Sequence, residues 1–124
     1  MSECPLCSSE QLLLVAENDL AVAFRDAYPV TPLHTLVVPR RHVELVFDMT
    51  REETEACLQL VMEAKAGIEA EDREVQGFNV GVNAGEYAGQ TVLHCHIHVI
   101  PRRRGDVPSP TGGIRNVIPG KGAY

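Results

Sequence analysis

Hydrophobic and polar positions alternate along the chain with periods that change from segment to segment. Residues 12–17 and 20–26 are short apolar runs separated by Asn18-Asp19, a pair that tolerates turn backbone angles, which predicts a β-hairpin. Pro29 and Pro32 bracket a loop, and His34 to Val38 reads as a third strand closed by Pro39. Thr50-Arg51-Glu52-Glu53 is a capping-box sequence, in which hydroxyl and carboxylate satisfy free N–H groups at a helix start. Cys57, Val61, Ala64 and Ile68 then recur at helical spacing on one apolar face, up to the charged stretch Glu69–Glu74. Phe78, Val80 and Val82 alternate with Asn79, Gly81 and Asn83, predicting a fourth strand, and His94 to Ile100 a fifth. After Pro101 come three arginines, then Pro108, Pro110, Gly112-Gly113, Pro119 and Gly120, which predict an irregular tail over about 102–124. The order β-β-β-α-β-β predicts an α+β fold: an antiparallel sheet of about five strands with one main helix. No repeat or linker divides the chain, so 1–124 is expected to be one domain.

Composition narrows the function classes. A chain of 124 residues buries roughly two-thirds of its unfolded surface and needs no disulfide to own a core. Its 44% hydrophobic and 23% charged residues are those of an ordinary globular protein and exclude a disordered one. The longest apolar run, Leu12 to Ala16, is too short to cross a bilayer, so no membrane partner is expected. The start, Met1-Ser2-Glu3-Cys4, shows no basic region followed by an apolar stretch. No secretory signal is read, and a cytoplasmic location is expected. A net charge of −6 argues against nucleic acid as a partner. Arg40-Arg41 and Arg102-Arg103-Arg104 concentrate positive charge locally and leave a small polyanionic ligand open. Cys4-Pro5-Leu6-Cys7 has the spacing of half a zinc site or of a redox pair. Cys57 and Cys95 read as small core residues.

The chemistry concentrates in His94-Cys95-His96-Ile97-His98-Val99-Ile100. Strand side chains alternate between faces, so a strand here puts His94, His96 and His98 on one face, about 6.5–7 Å apart, and turns Cys95, Ile97 and Val99 into the core. A lone strand histidine is usually a packed or solvated residue, but three in alternation are hard to explain as packing. Two chemistries stay open: a metal held by the row, or one histidine as nucleophile with neighbours that bind an anion. An imidazole with a pKa near ~6.5 is largely neutral and nucleophilic at pH 7. Upstream, Asn83-Ala84-Gly85-Glu86-Tyr87-Ala88-Gly89-Gln90-Thr91 combines glycines that admit a close ligand with side chains that donate hydrogen bonds. Such a loop suits a phosphate.

These segments resemble the histidine triad superfamily. His94–Ile100 matches its His-φ-His-φ-His-φ-φ signature, with φ apolar, and Asn83–Thr91 is similar to its Asn…Gly-Gln-(Ser/Thr) lead. Phe24-Arg25-Asp26, Pro32-Leu33-His34 and Val38-Pro39-Arg40-Arg41-His42 resemble its nucleotide-binding first half. The resemblance implies nucleotidyl transfer through a covalent nucleotidyl-histidine, with His96 as nucleophile. It implies a carbonyl near His94 holding the His96 proton on Nδ1, and His98 touching phosphate or the scissile bridge. Gln90 and Thr91 would hold non-bridging oxygens and the leaving group, and Asn83 phosphate. Asp26 would accept the ribose hydroxyls, Phe24 and Leu6 line the base pocket, and His34 stand behind the triad. The sequence Pro101-Arg102-Arg103-Arg104-Gly105-Asp106 resembles the fragile-histidine-triad side of the family, which acts on dinucleoside polyphosphates. The expected substrate is therefore an adenosine polyphosphate such as diadenosine tetraphosphate, with the arginines neutralising its chain. The alternatives are hydrolysis of a nucleoside phosphoramidate or adenylylated amine, and a nucleotide-binding module with little catalysis. The resemblance further implies a homodimer, and a structural Zn2+ held by Cys4, Cys7, His42 and His94. A catalytic zinc on the three triad histidines is the competing metal reading, and it leaves the Gln90-Thr91 loop and Asp26 without a role.

Overall fold

A computed structural model describes residues 4–7 and 13–123. The chain builds β1 (Leu14–Glu17), β2 (Ala21–Arg25) and β3 (Thr35–Pro39), crosses on α1 (Arg51–Glu71), and returns through β4 (Val75–Gly81) and β5 (Ile97–Arg103). All pairings are antiparallel, and the five strands lie in the order β1-β2-β3-β5-β4. The expected antiparallel sheet with one main helix is therefore the fold. Among the described residues no helix is long and apolar enough to cross a membrane.

The two sheet faces are packed differently. Ala21, Ala23, Val37, Ile97 and Val99 meet Cys57, Leu60 and Ile68 of α1. Leu60 and Ile68 are fully buried, each contributing about 1.5–3 kcal/mol by leaving water. On the other face Val22, Phe24, Leu36 and Val38 form a smaller cluster, with Leu6 packed on it. The helix starts where the sequence says. The Thr50 hydroxyl accepts from the Glu53 amide (3.0 Å), and the Glu53 carboxylate accepts from the Thr50 amide (2.8 Å). The chain leaves α1 at Asp72, whose carboxylate accepts from the Glu74 amide.

Boundaries shift for identifiable reasons. Residue 12 of the first expected strand lies outside the described residues. The strand expected over His94–Ile100 begins only at Ile97 and runs on to Arg103. His94 is withheld from the ladder because its carbonyl accepts from the His96 ring and its own ring donates to the Pro39 carbonyl. The Cys95 amide bonds instead to the Val43 carbonyl (2.6 Å). Val82 falls beyond β4, which begins earlier, at Val75. Arg102 and Arg103, assigned to the irregular tail, extend β5, with carboxylates holding both side chains. Past them, among the described residues, the tail is irregular apart from a 3-10 turn at Gly113–Val117.

Candidate active site

The three triad histidines occupy two environments. His94 is fully buried, whereas His96 and His98 are half-buried. His96 Nδ1 donates to the His94 carbonyl at 2.7 Å. A carbonyl only accepts, so the His96 proton is fixed on Nδ1 and the Nε2 lone pair is left free. The His98 ring stands edge-on to His96, with centroids 5.1 Å apart.

A second chain of bonds fixes His98. The Val30 amide donates to His34 Nδ1 (3.1 Å), which places the His34 proton on Nε2. That atom lies 3.0 Å from His98 Nδ1 and 3.5 Å from an Asp26 carboxylate oxygen. His98 Nδ1 therefore accepts, and its proton sits on Nε2. Burial pushes the His34 and His98 imidazoles down, which keeps both neutral; Asp26 opposes the shift at His34. Asp26 follows β2 and His34 precedes β3, and their main chains bond to each other (Asp26 N to His34 O, 2.9 Å). The preceding Leu33 is left-handed at φ 71°, an uncommon conformation for a branched side chain. It turns the chain so that Leu33 packs under the sheet while His34 enters the other side.

The loop between β4 and β5 contains a finding that changes one expected role. Gln90 is buried. Its Oε1 accepts from the Gly85 amide (2.8 Å), and its Nε2 donates to the Glu44 and Val92 carbonyls (2.7 and 3.1 Å). Both ends of the amide are spent on main chain, so Gln90 clasps the loop and does not offer its side chain to phosphate oxygens. Gly85 (φ 97°) and Gly89 (φ 94°) take backbone angles that side chains disfavour, which lets the loop close on that clasp. Asn83 and Thr91 stand exposed at its two ends. Leu6 and Phe24, expected at a base pocket, pack in one cluster; Phe24 is fully buried in it, so of the two only the half-buried Leu6 offers surface to a base.

Four of the five clustered arginines are committed to pairing within the protein. Arg40 holds Glu17 and the Asn18 carbonyl. Arg41 grips Glu53 with two bonds of 3.0 and 2.8 Å. Arg102 holds Asp106 and Asn79, and Arg103 holds Asp72 and the Pro32 carbonyl. Arg104, exposed, follows the far end of β5. The expected neutralisation of a polyphosphate by this cluster therefore does not follow: four of the five cations already face carboxylates. The signal was ambiguous, because arginine runs serve structure and ligands alike.

Cys4, Cys7, His42 and His94 converge, with one donor atom from each within 4.8 Å of the others. The thiols lie 3.2 Å (Cys7) from His42 Nδ1 and 3.3 and 3.4 Å (Cys4 and Cys7) from His94 Nδ1. Ligand atoms around a tetrahedral zinc are about 3.5 Å apart, given bond lengths of about 2.3 Å to sulfur and 2.0–2.1 Å to nitrogen. His94 Nε2 donates to Pro39 O at 2.8 Å, leaving Nδ1 as a lone pair toward the thiols, the arrangement that metal-binding histidines use. Donor chemistry and spacing both fit zinc. The sequence did not reveal Glu53 as the partner of Arg41 or Val30 as the donor to His34; a backbone amide leaves no mark in a sequence.

The HIT domain family matches residues 10–105. A Mycobacterium tuberculosis protein named AP-4-A phosphorylase is 39% identical over 121 residues, covering 95% of this chain; the chain spans only 61% of that relative's length. A HIT family protein from Bacillus anthracis superposes with a TM-score of 0.77 at 37% identity, over 83% of this chain and 75% of its own. A zinc-bound histidine triad family protein from Mycobacterium smegmatis superposes with a TM-score of 0.75 at 30% identity, over 86% and 77%.

Proposed function

The chain belongs to the HIT family, and on that premise we propose that it is a nucleotidyl hydrolase or transferase acting on an adenosine polyphosphate through His96. The observation that carries this reading is the 2.7 Å bond from His96 Nδ1 to the His94 carbonyl, which leaves the Nε2 lone pair as the nucleophilic one. Nε2 attacks the α-phosphorus, an Nε2–P bond forms, and the bond to the leaving oxygen breaks. The departing oxygen leaves as a phosphate anion and accepts a hydrogen bond from His98 Nε2–H, which keeps its proton. Water or phosphate then attacks phosphorus, the P–N bond breaks, and His96 is regenerated. Asp26 accepts from the ribose hydroxyls, Leu6 packs on the base with the buried Phe24 behind it, and Asn83 and Thr91 contact phosphate. Gln90 holds their loop in shape. Phosphoryl transfer depends mainly on positioning, which suits a site whose two working imidazoles each have a fixed tautomer. The name of the M. tuberculosis relative supports the adenosine polyphosphate as substrate.

Cys4, Cys7, His42 and His94 would hold a zinc ion. With four protein ligands such an ion supplies cross-linking rather than a reactive position. The zinc-bound M. smegmatis relative supports this assignment. A homodimer is proposed through β4, the last strand of the sheet. A groove of about 420 Å3 runs beside it between Val61 and Lys65 of α1 and Phe78 and Val80 of β4.

Incubation with diadenosine tetraphosphate and, separately, with adenosine 5′-phosphoramidate, followed by chromatography, tests the reading. AMP or ADP released faster from the tetraphosphate supports it. Faster release from the phosphoramidate moves the substrate class, and no release from either leaves a binding module.

A further inference from the structure

The turn that carries Cys4 and Cys7 also carries Leu6, the side chain left to meet a base. Leu6 packs on Val22, Phe24, Leu36 and Val38 and stays half-buried, while Phe24 beneath it is closed to water. Phe24 pairs with Leu36 across β2 and β3, and Leu36 with His98 across β3 and β5. Directly paired residues of antiparallel strands project to the same side, so Leu6 lies over the sheet face on which His98 stands.

Little but the two cysteines holds Leu6 in that place. Segment 4–7 is a single turn, closed by one main-chain bond from the Cys7 amide to the Cys4 carbonyl (3.1 Å). Among the described residues, its hydrogen bonds to the rest of the protein are all made by the thiols, to His42 Nδ1 at 3.2 Å and to His94 Nδ1 at 3.3 and 3.4 Å. Pro5 is exposed, so the segment's apolar contact is Leu6 alone. Fixing such a segment costs more conformational entropy than one half-buried aliphatic contact offsets. Two thiolates bound to an ion that also binds His42 and His94 would fix the turn on both sides of Leu6. The reacting imidazoles have other supports. The His94 carbonyl holds the His96 proton and His34 sets the His98 tautomer, and neither bond uses a metal-binding atom.

We infer that Leu6 couples the metal site to nucleotide affinity: zinc on Cys4, Cys7, His42 and His94 holds Leu6 against the base, and a bound base in turn tightens the hold on zinc. This rests on the proposed nucleotide site. The coupling is in binding, so kcat at saturating substrate does not depend on it. It is reciprocal: the factor that zinc adds to nucleotide affinity is the factor that nucleotide adds to zinc affinity.

The test titrates AMP calorimetrically into wild type and Leu6→Ala, each metal-free and with one equivalent of zinc. The other group of donors, Asp26, His34 and His98, is a poor rival for that equivalent, because His34 Nε2 carries a proton while its Nδ1 accepts from the Val30 amide. Zinc should lower the wild-type Kd for AMP about tenfold, the scale of one aliphatic contact in a binding pocket. Leu6→Ala should still load one zinc per chain, bind AMP like metal-free wild type, and show no response of that Kd to zinc. Leu6→Met should keep the response. In competition with a chelator, saturating AMP should raise the zinc affinity of wild type by the same factor and leave that of Leu6→Ala unchanged. A wild-type Kd for AMP that ignores zinc overturns the coupling and leaves the nucleotide site standing. An equal zinc response in Leu6→Ala overturns the role of Leu6 and moves the coupling to His94. Zinc lost from Leu6→Ala, or metal-free wild type without its far-UV circular dichroism, overturns the inference as well, since zinc and Leu6 would then be conditions of the site or of the fold. Zinc-loaded wild type that does not bind AMP overturns the nucleotide reading, and this inference with it.

Discussion

Replacing Glu53 with glutamine isolates a charge that the fold holds far from its ordinary behaviour. The buried carboxylate accepts two bonds from Arg41 and one from the Thr50 amide. The Arg41 hydrogen bonds above all, helped by the Thr50 amide, bring its pKa from 4.5 to about 2. That difference corresponds to about 3 kcal/mol at neutral pH, at roughly 1.4 kcal/mol for each tenfold change. Arg41 is 55% exposed, so solvent screens part of the attraction, and we take about 2 kcal/mol. The folded carboxyl ionises more readily than the unfolded one. Its stabilisation is therefore complete above pH 4.5 and lost as the pH falls toward about 2. Urea unfolding of wild type and Glu53→Gln, at equal metal content, should give a gap of about 2 kcal/mol at pH 7 that narrows steadily between pH 4.5 and 2.5. A gap that stays constant over that range would refute the electrostatic reasoning and leave only the helix cap. The consequence reaches the site because Arg41 precedes His42, and the Val43 and Glu44 carbonyls receive the Cys95 and Gln90 bonds.

Two further outcomes concern the site itself. The Cys4→Ser, Cys7→Ser double variant should lose one zinc per chain by metal analysis and lose thermal stability before activity; zinc retained there but lost on His98→Ala would place the ion on the triad. His34→Leu should lower turnover by about a hundredfold, the lower end of what one positioned hydrogen-bond donor to a developing anion contributes. Substrate affinity should stay near wild type, so an unchanged kcat would show that His98 does not need its proton fixed.

The parts of the fold that depend on local chemistry were legible in the sequence. The Thr50/Glu53 capping box needs only residues three apart, and the alternation of Cys95, Ile97 and Val99 marked the buried side. The strand start at Ile97 was not legible. It depends on the carbonyls of Pro39 and Val43, more than fifty residues away in sequence, drawing His94 and Cys95 out of the ladder. Gln90 shows the same limit from the other side. A glutamine in a glycine-rich loop reads as a ligand donor, yet three main-chain partners, one of them at Glu44, consume its amide. The arginines resemble a polyanion site until their carboxylates come into view, Asp72 and Glu53 being 31 and 12 residues distant in sequence. By spacing alone Cys4 and Cys7 fitted half of a metal site and a redox pair equally. Their meeting with His42 and His94 was an expectation drawn from family resemblance, and the four donors do converge.

The central claim is that His96 Nε2 forms a bond to phosphorus. The direct measurement is the intact mass of the protein quenched within milliseconds of mixing with diadenosine tetraphosphate, followed by peptide mapping. We predict one added adenylyl group on the peptide containing His96, absent in His96→Ala, whose turnover should fall by several orders of magnitude while AMP still binds. Near-wild-type turnover in purified His96→Ala, or an adduct mapped to a different residue, would contradict the claim.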